Sequence, residues 1–275
     1  MVFPNVHSFL SGLPISVAGM AACLAIYFAS AVLSGLSGFG FSALGALSMI
    51  FLPPQIAVGM LMTVSLVTQL YSLKLVMQGA PASSSGEPLG FGDLVRMMAP
   101  YAVGGVFGLY VGIKLLSILS AAVVCSILGA FLVVYAIYGI HKPASLRLTA
   151  GGSAGASGVI GFFSTMIGAF CGGPGIVLMA WLQLRALPKD LARSMAQPFI
   201  IFMQVVGLGI FVLKSPAIFS VTFFESVAIL LPVALLGSAV GVKIYARASD
   251  LNYRMIVMYF LLGSGIALAA RAIWG

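Results

Sequence analysis

The sequence predicts an all-α, polytopic membrane protein, and two features of its composition support this prediction. Apolar residues make up 61% of the 275 residues and charged residues only 7%, a balance that water-soluble domains do not have. The apolar residues also come in long runs, several of which supply the ~20 residues that a transmembrane helix needs. We therefore expect a chain that crosses the lipid bilayer many times.

About ten transmembrane segments can be drawn, and they form two groups of five. The first group covers residues 13–34, 41–52, 55–77, 94–116 and 121–140, and the second covers 159–170, 175–187, 191–213, 224–245 and 256–273. The segments at 41–52 and 175–187 are too short for a full span. Each follows a glycine-rich break, so we predict short broken helices there. The expected organisation is a first repeat (1–140), a cytoplasmic linker (141–158) and a second repeat (159–275).

The two groups align with each other when one is shifted by 135 residues. The shift pairs Gly38 with Gly173, Gly40 with Gly175, and Gln69 with Gln204. Because each repeat has an odd number of segments, the two repeats face opposite ways in the membrane, as in inverted-repeat transporters.

The distribution of cations predicts the orientation. With the N-terminus outside, 10 of the 13 Lys and Arg residues fall in cytoplasmic loops, in agreement with the positive-inside rule. We therefore predict that both termini lie outside and that residues 141–158 lie in the cytoplasm. Arg185, Lys189, Asp190 and Arg193 are interpreted as one cytoplasmic loop, in which Arg193 could attract anions to the inner mouth.

The two glycine-rich breaks are the first candidate binding site. Backbone N–H groups at a helix start have no partner within the helix, and the helix dipole is positive there, so an anion is favoured. The alternative is that these glycines only allow close helix packing; the pairing of the breaks favours a site. The candidate substrate-binding residues at the breaks are Ser37, Gly38, Phe39, Gly40, Phe41 and Ser42, and Cys171, Gly172, Gly173 and Gly175.

Three glutamines inside apolar segments are the second candidate site. Gln69 and Gln204 occupy matching positions in the two repeats, and Gln197 shares a helical face with Gln204. A buried amide must find hydrogen-bond partners. Substrate and a neighbouring helix both meet this need, and both interpretations stay open. By contrast, the Gly-x-x-x-Gly motifs at 104–108 and 237–241 are typical of helix packing.

Residue types missing from the apolar segments restrict the function. The five carboxylates lie in loops or near segment ends, so cation transport and hydrolase chemistry are disfavoured. The three cysteines lack metal-binding spacing, and we expect no metal and no cofactor. The cations lie at segment ends, which argues against nucleic-acid binding. Three classes of function remain: a secondary transporter for anions, a passive anion channel, and a membrane-embedded enzyme or accessory subunit.

Both repeats resemble the TauE/SafE sulfite exporter family, also called the toluenesulfonate uptake permease family. The resemblance lies in SGFGFSALGALSMIFLPPQIAVG and GAFCGGPGIVLMAWLQLRALPKDLARS, each a glycine-rich break, a short helix and a Leu-Pro turn. It implies a permease of the bacterial inner membrane, not an enzyme, that carries small anions such as sulfite or organosulfonates. Phe39 and Phe41 depart from the family's glycine-rich pattern, and with Phe170 and Trp181 they could accommodate an aromatic sulfonate. The oligomeric state is left open.

Overall fold

The structure, a computed structural model, describes residues 17–76, 91–141, 154–170, 172–185, 189–247 and 250–274. Within these ranges the chain forms ten α-helices and two short 3₁₀ helices and contains no strand, which confirms the all-α prediction. The α-helices are α1 (Val17–Ser37), α2 (Phe41–Gly45), α3 (Pro54–Val76), α4 (Phe91–Ile118), α5 (Ala121–His141), α6 (Ala154–Gly168), α7 (Ile176–Leu184), α8 (Lys189–Lys214), α9 (Val221–Arg247) and α10 (Asp250–Trp274). The 3₁₀ helices are Ala46–Ile50 and Pro216–Ile218.

Each predicted segment corresponds to a helix, but not every helix has the length of a membrane span. In the described residues six helices, α1, α3, α4, α5, α8 and α9, are long and apolar enough to cross a bilayer. The helices after the breaks are shorter, because α2 has 5 residues and α7 has 9. Helix α6 begins at Ala154, within the range predicted as a linker, and residues 142–153 lie outside the described part of the chain.

Helices from the two halves of the chain pack against each other in reciprocal pairs. The most extensive contacts are α1 with α9, α4 with α6 and α5 with α10. In the first two pairs, the first helix of one half packs against the fourth helix of the other half. Helices α3 and α8 also contact each other. The two halves therefore interleave and do not lie side by side.

Glycines line two of these contacts, which we call the glycine seams: α4 against α6, and α1 against α9. A Cβ atom added at a seam glycine would collide with a backbone carbonyl of the facing helix. Gly104 and Gly108 lie against Gly158 and Phe162, and Gly237 and Gly241 lie against Phe28 and Val32. Both Gly-x-x-x-Gly motifs therefore have the packing role that their spacing predicts.

The two breaks interrupt the chain at glycines with a left-handed backbone. Gly38 has φ +78° between α1 and α2, and Gly172 has φ +67° between α6 and α7; glycine adopts this conformation without the steric cost that a Cβ brings. The breaks also meet, since a Cβ at Gly175 would lie 3.8 Å from the Cβ of Phe39. Cys171 lies outside the described residues.

Candidate functional site

The first break is held together by Ser37 at the end of α1. Its Oγ donates a hydrogen bond to the Leu33 carbonyl (2.7 Å) and accepts hydrogen bonds from the backbone N–H groups of Phe39 (3.3 Å) and Gly40 (2.9 Å). Two of the N–H groups predicted to bind an anion therefore already have a partner within the chain.

The second break has a similar arrangement. The N–H of Gly173 donates to the Gly168 carbonyl at 2.8 Å. From α6, the Ser164 hydroxyl accepts a hydrogen bond from the Leu178 N–H (3.0 Å) and donates one to the Pro174 carbonyl (2.6 Å). A serine side chain thus bonds to the first turn of the short helix at this break as well.

The packing around the breaks leaves little room at several predicted site residues. A Cβ at Gly40 would lie 2.5 Å from the Cγ of Leu33, and a Cβ at Gly175 would collide with the Ile200 side chain. The buried rings of Phe39, Phe41 and Phe170 belong to the hydrophobic core. Ser42 is buried too. The geometry at these positions favours packing.

Gly38 differs, because the space beside it holds the side chain of Arg193. A Cβ at Gly38 would lie 3.1 Å from the Cγ of Arg193. Arg193 is 2% exposed, its Nη2 donates a hydrogen bond to the Gly35 carbonyl at 3.1 Å, and its guanidinium lies 4.6 Å from the ring centroid of Tyr245. The interpretation of Arg193 as a loop residue is therefore wrong. Since α8 begins at Lys189, Arg193 lies in its second turn, directed into the protein.

Two of the predicted glutamines, Gln197 and Gln69, link Arg193 to the first break by hydrogen bonds. The Arg193 Nε donates a long hydrogen bond (3.4 Å) to Oε1 of Gln197. The Gln197 Nε2 donates to Oε1 of Gln69 (3.1 Å) and to the Ser72 hydroxyl (2.8 Å). Gln69 Nε2 in turn donates to the Gly38 carbonyl at 2.8 Å. We call Arg193, Gln197, Gln69 and the Gly35 and Gly38 carbonyls the arginine cluster.

Gln204 makes the matching contact at the second break, and none of its hydrogen bonds to described residues involves a cation. Its Nε2 donates to the Gly172 carbonyl (3.2 Å) and to the Ser65 hydroxyl (2.9 Å), and its buried Oε1 has no hydrogen-bond partner among the described residues. Gln204 lies two helical turns, ~10 Å along α8, from Gln197. The structure therefore brings Gln69 and Gln197 together, whereas Gln204 belongs to a separate polar site.

The 135-residue shift shows how the two sites differ. In the first half it places Val58 and Met62 at the positions of Arg193 and Gln197. These residues also occupy the matching place in the structure, since a Cβ at Gly172 would lie 2.9 Å from the Cγ of Met62 and 3.1 Å from the Val58 carbonyl oxygen. An apolar pair thus stands where the first break has a cation and an amide.

The arginine cluster has the chemistry of an oxyanion site. A guanidinium is always charged and presents a planar set of N–H donors that matches two oxygens of an anion. The contacts of Arg193 described above are with a carbonyl, an amide oxygen and a ring face. These groups carry partial charges only, whereas a bound anion would supply the full negative charge that balances the guanidinium. Arg193 is buried at the second residue of a candidate membrane span, 192–214, and a buried charge in such a segment points to a functional site. Among the described residues no group of three or more His, Cys, Asp or Glu side chains could hold a metal.

Comparison with known families agrees with this chemistry. Residues 22–268 match the family described as "Sulfite exporter TauE/SafE". The chain belongs to the TauE/SafE family. No curated protein and no solved structure shows significant similarity to it. Membership confirms the resemblance seen in the sequence, and it identifies a family of membrane transporters for sulfur anions, not a family of enzymes.

The sequence of this TauE/SafE protein contains one signal for the arginine cluster. Arg193 precedes Gln197 by four residues, so both lie on one face of a helix. The neighbours Lys189 and Asp190 favour a loop instead, and they conceal this spacing. The contact of Arg193 with Gly35, 158 residues away in sequence, is visible only in the fold.

Proposed function

We propose that the chain is a secondary transporter for sulfur-containing oxyanions, such as sulfite or organosulfonates, and that the arginine cluster is its substrate site. The observation that carries the proposal is the buried guanidinium of Arg193, located at the first break and bonded to Gly35 and Gln197. We place the protein in the bacterial inner membrane, as the family resemblance implies. An oxyanion here would be bound mainly by Arg193, whose position is fixed by its hydrogen bond to Gln197 and, through Gln197, by Gln69.

Burial of the cluster supports a carrier over the runner-up, a passive anion channel on the same scaffold. Arg193, Gln197 and Gln69 are each at most 2% exposed, so the part of the chain that the structure describes leaves no open water path to them. An anion can reach such a site only if the protein changes conformation. Alternating access supplies that change at every turnover, whereas a channel that stays open needs a continuous path past the cluster.

The proposal is tested by binding of sulfite to purified protein. A charge-assisted hydrogen bond contributes about 1.5–3 kcal/mol, so Arg193→Gln should weaken binding roughly tenfold or more. Arg185→Gln, which removes a cation from the turn after α7, is the matched control and should bind like the parent. Arg193→Lys keeps the charge and guards against loss of folding. Parent-like affinity in a monodisperse Arg193→Gln protein would overturn the proposal.

Flux into liposomes separates the carrier from the channel. We expect sulfite uptake to saturate with concentration and to be accelerated by sulfite on the opposite side of the membrane. Ion conductance that does not saturate would favour the channel instead.

A further inference from the structure

A second cationic site lies far from the arginine cluster. A cavity of about 320 Å³ opens where the ends of α4 and α8 meet the start of α3, and Lys114 and Lys214 both line it. Lys214 is the last residue of α8, 21 residues after Arg193, which places it ~31 Å farther along the helix. The volume is that of a site for a small organic molecule.

The mouth of this cavity is positively charged. Lys114 and Lys214 are exposed, and Lys214 is the last residue of α8, where the helix dipole favours a cation. The Nζ of Lys214 lies 5.8 Å from the ring centroid of Tyr110, which is 50% exposed. Two ammonium groups and an aromatic face therefore border one opening.

The floor of the cavity is apolar. Ile113, Leu116 and Phe211 line it, and all three are buried. An inorganic anion would contact the two lysines but would make no apolar contact with this floor. A ligand with an anionic group and an apolar body would use both, because burying apolar surface contributes roughly 25 cal/mol per Å².

We propose that this cavity binds an amphipathic organic anion, namely a sulfonate with an aromatic or short aliphatic body, as a second site in series with the arginine cluster. The choice of a sulfonate rests on the proposed function, whereas the cationic mouth and apolar floor do not depend on it.

Helices α3 and α8 connect the two sites. Gln55, near the start of α3, lines the cavity, and Gln69, in the second half of the same helix, belongs to the arginine cluster. Lys214 and Arg193 occupy the corresponding ends of α8. The cavity is therefore a vestibule at the opposite end of the two central helices, where its positive charge raises the local concentration of anions.

The test isolates the cavity by using the Arg193→Gln protein in phosphatidylcholine nanodiscs. In this background we expect toluenesulfonate to bind still and sulfite binding to be lost. Adding Lys114→Gln and Lys214→Gln should weaken the remaining toluenesulfonate binding at least tenfold. Adding Lys243→Gln, an exposed lysine of α9 outside the cavity lining, should leave it unchanged.

Two results in this background would overturn the cavity site: a folded Arg193→Gln protein that binds no toluenesulfonate, or lysine substitutions without effect. Unchanged sulfite binding in Arg193→Gln would instead refute the proposed function and leave the lysine comparison valid. Methanesulfonate should bind at least tenfold more weakly than toluenesulfonate, and equal affinity would exclude the apolar floor from the site.

An anionic lipid headgroup offers the same chemistry as a sulfonate, and nanodiscs that contain phosphatidylglycerol distinguish the two. If phosphatidylglycerol abolishes toluenesulfonate binding in the Arg193→Gln protein, the cavity is a lipid headgroup site and the sulfonate assignment is wrong. Binding that survives phosphatidylglycerol supports the assignment.

Discussion

The side-chain amide of Gln197 donates a hydrogen bond of 3.1 Å to Oε1 of Gln69, and this bond joins the two halves of the chain inside the protein. Gln197 also accepts from Arg193, and Gln69 donates to the Gly38 carbonyl. The two glutamines thus connect the Gly38 carbonyl of the first break to the guanidinium of Arg193 by consecutive hydrogen bonds. A buried polar network of this kind fixes the geometry of its members when all of them are satisfied.

We expect Gln197→Leu to weaken sulfite binding more than Gln204→Leu does. Both glutamines are fully buried on α8. Of the hydrogen bonds described above, those of Gln197 include one to Arg193, and those of Gln204 do not. Loss of a buried hydrogen-bond partner costs about 1–3 kcal/mol, which corresponds to roughly tenfold in affinity. Calorimetric titration of both purified variants measures the difference. Equal losses would assign Gln204 to the substrate site, as its place in the repeat suggests.

Gly38→Ala should lower both the melting temperature and the affinity for anions. An alanine at φ +78° costs on the order of 1–3 kcal/mol, and its Cβ would press on the Arg193 side chain. Gly209→Ala is the matched control, because a Cβ there has open space and alanine favours a helix. Thermal-shift and binding measurements on both variants test this. A Gly38→Ala protein that equals the parent in both would contradict the role of this glycine.

Ser37→Ala should destabilise the first break. The substitution leaves the N–H groups of Phe39 and Gly40 without the hydroxyl that accepts from them, at a cost of about 1–3 kcal/mol for each buried group left unpaired. Ser30→Ala is the control, since Ser30 is equally buried in α1 and donates to its own helix at Ile26. We expect a clear drop in melting temperature for Ser37→Ala alone. Equal drops would mean that the break does not depend on Ser37.

Gly241→Val and Gly104→Val should reduce the yield of folded protein. Each valine would meet a backbone carbonyl of the facing helix, at Val32 or at Gly158, and backbone yields less readily than a side chain. Overpacking costs typically about 1–3 kcal/mol. Gly209→Val, in open space, controls for the effect of valine on a helix. Fluorescence-detected size-exclusion chromatography reports the monodisperse fraction, and parent-like profiles for both seam variants would disprove close packing there.

The sequence predicted the helices and the breaks well, because apolar runs and glycine clusters determine the backbone structure of the segment in which they occur. The arginine cluster could not be predicted in the same way. Arg193 has charged neighbours, as loop residues do, and its burial depends on Gly35 and Gly38 in the other half. The bonding at the second break also escaped prediction, since Ser164 and Leu178 lie 14 residues apart and meet only when α6 and α7 pack.

The glycine seams determine which parts of the protein can move as rigid bodies. At Gly104 and Gly241 a helix of one half touches the backbone of a helix from the other half. A rocking motion of residues 17–141 against residues 154–274 would have to separate both contacts. Units that keep these contacts intact would be hybrids, α1 with α9 and α4 with α6, each built from both halves of the sequence. A hinge that preserves the seams would run between such hybrids and not between the two halves of the sequence.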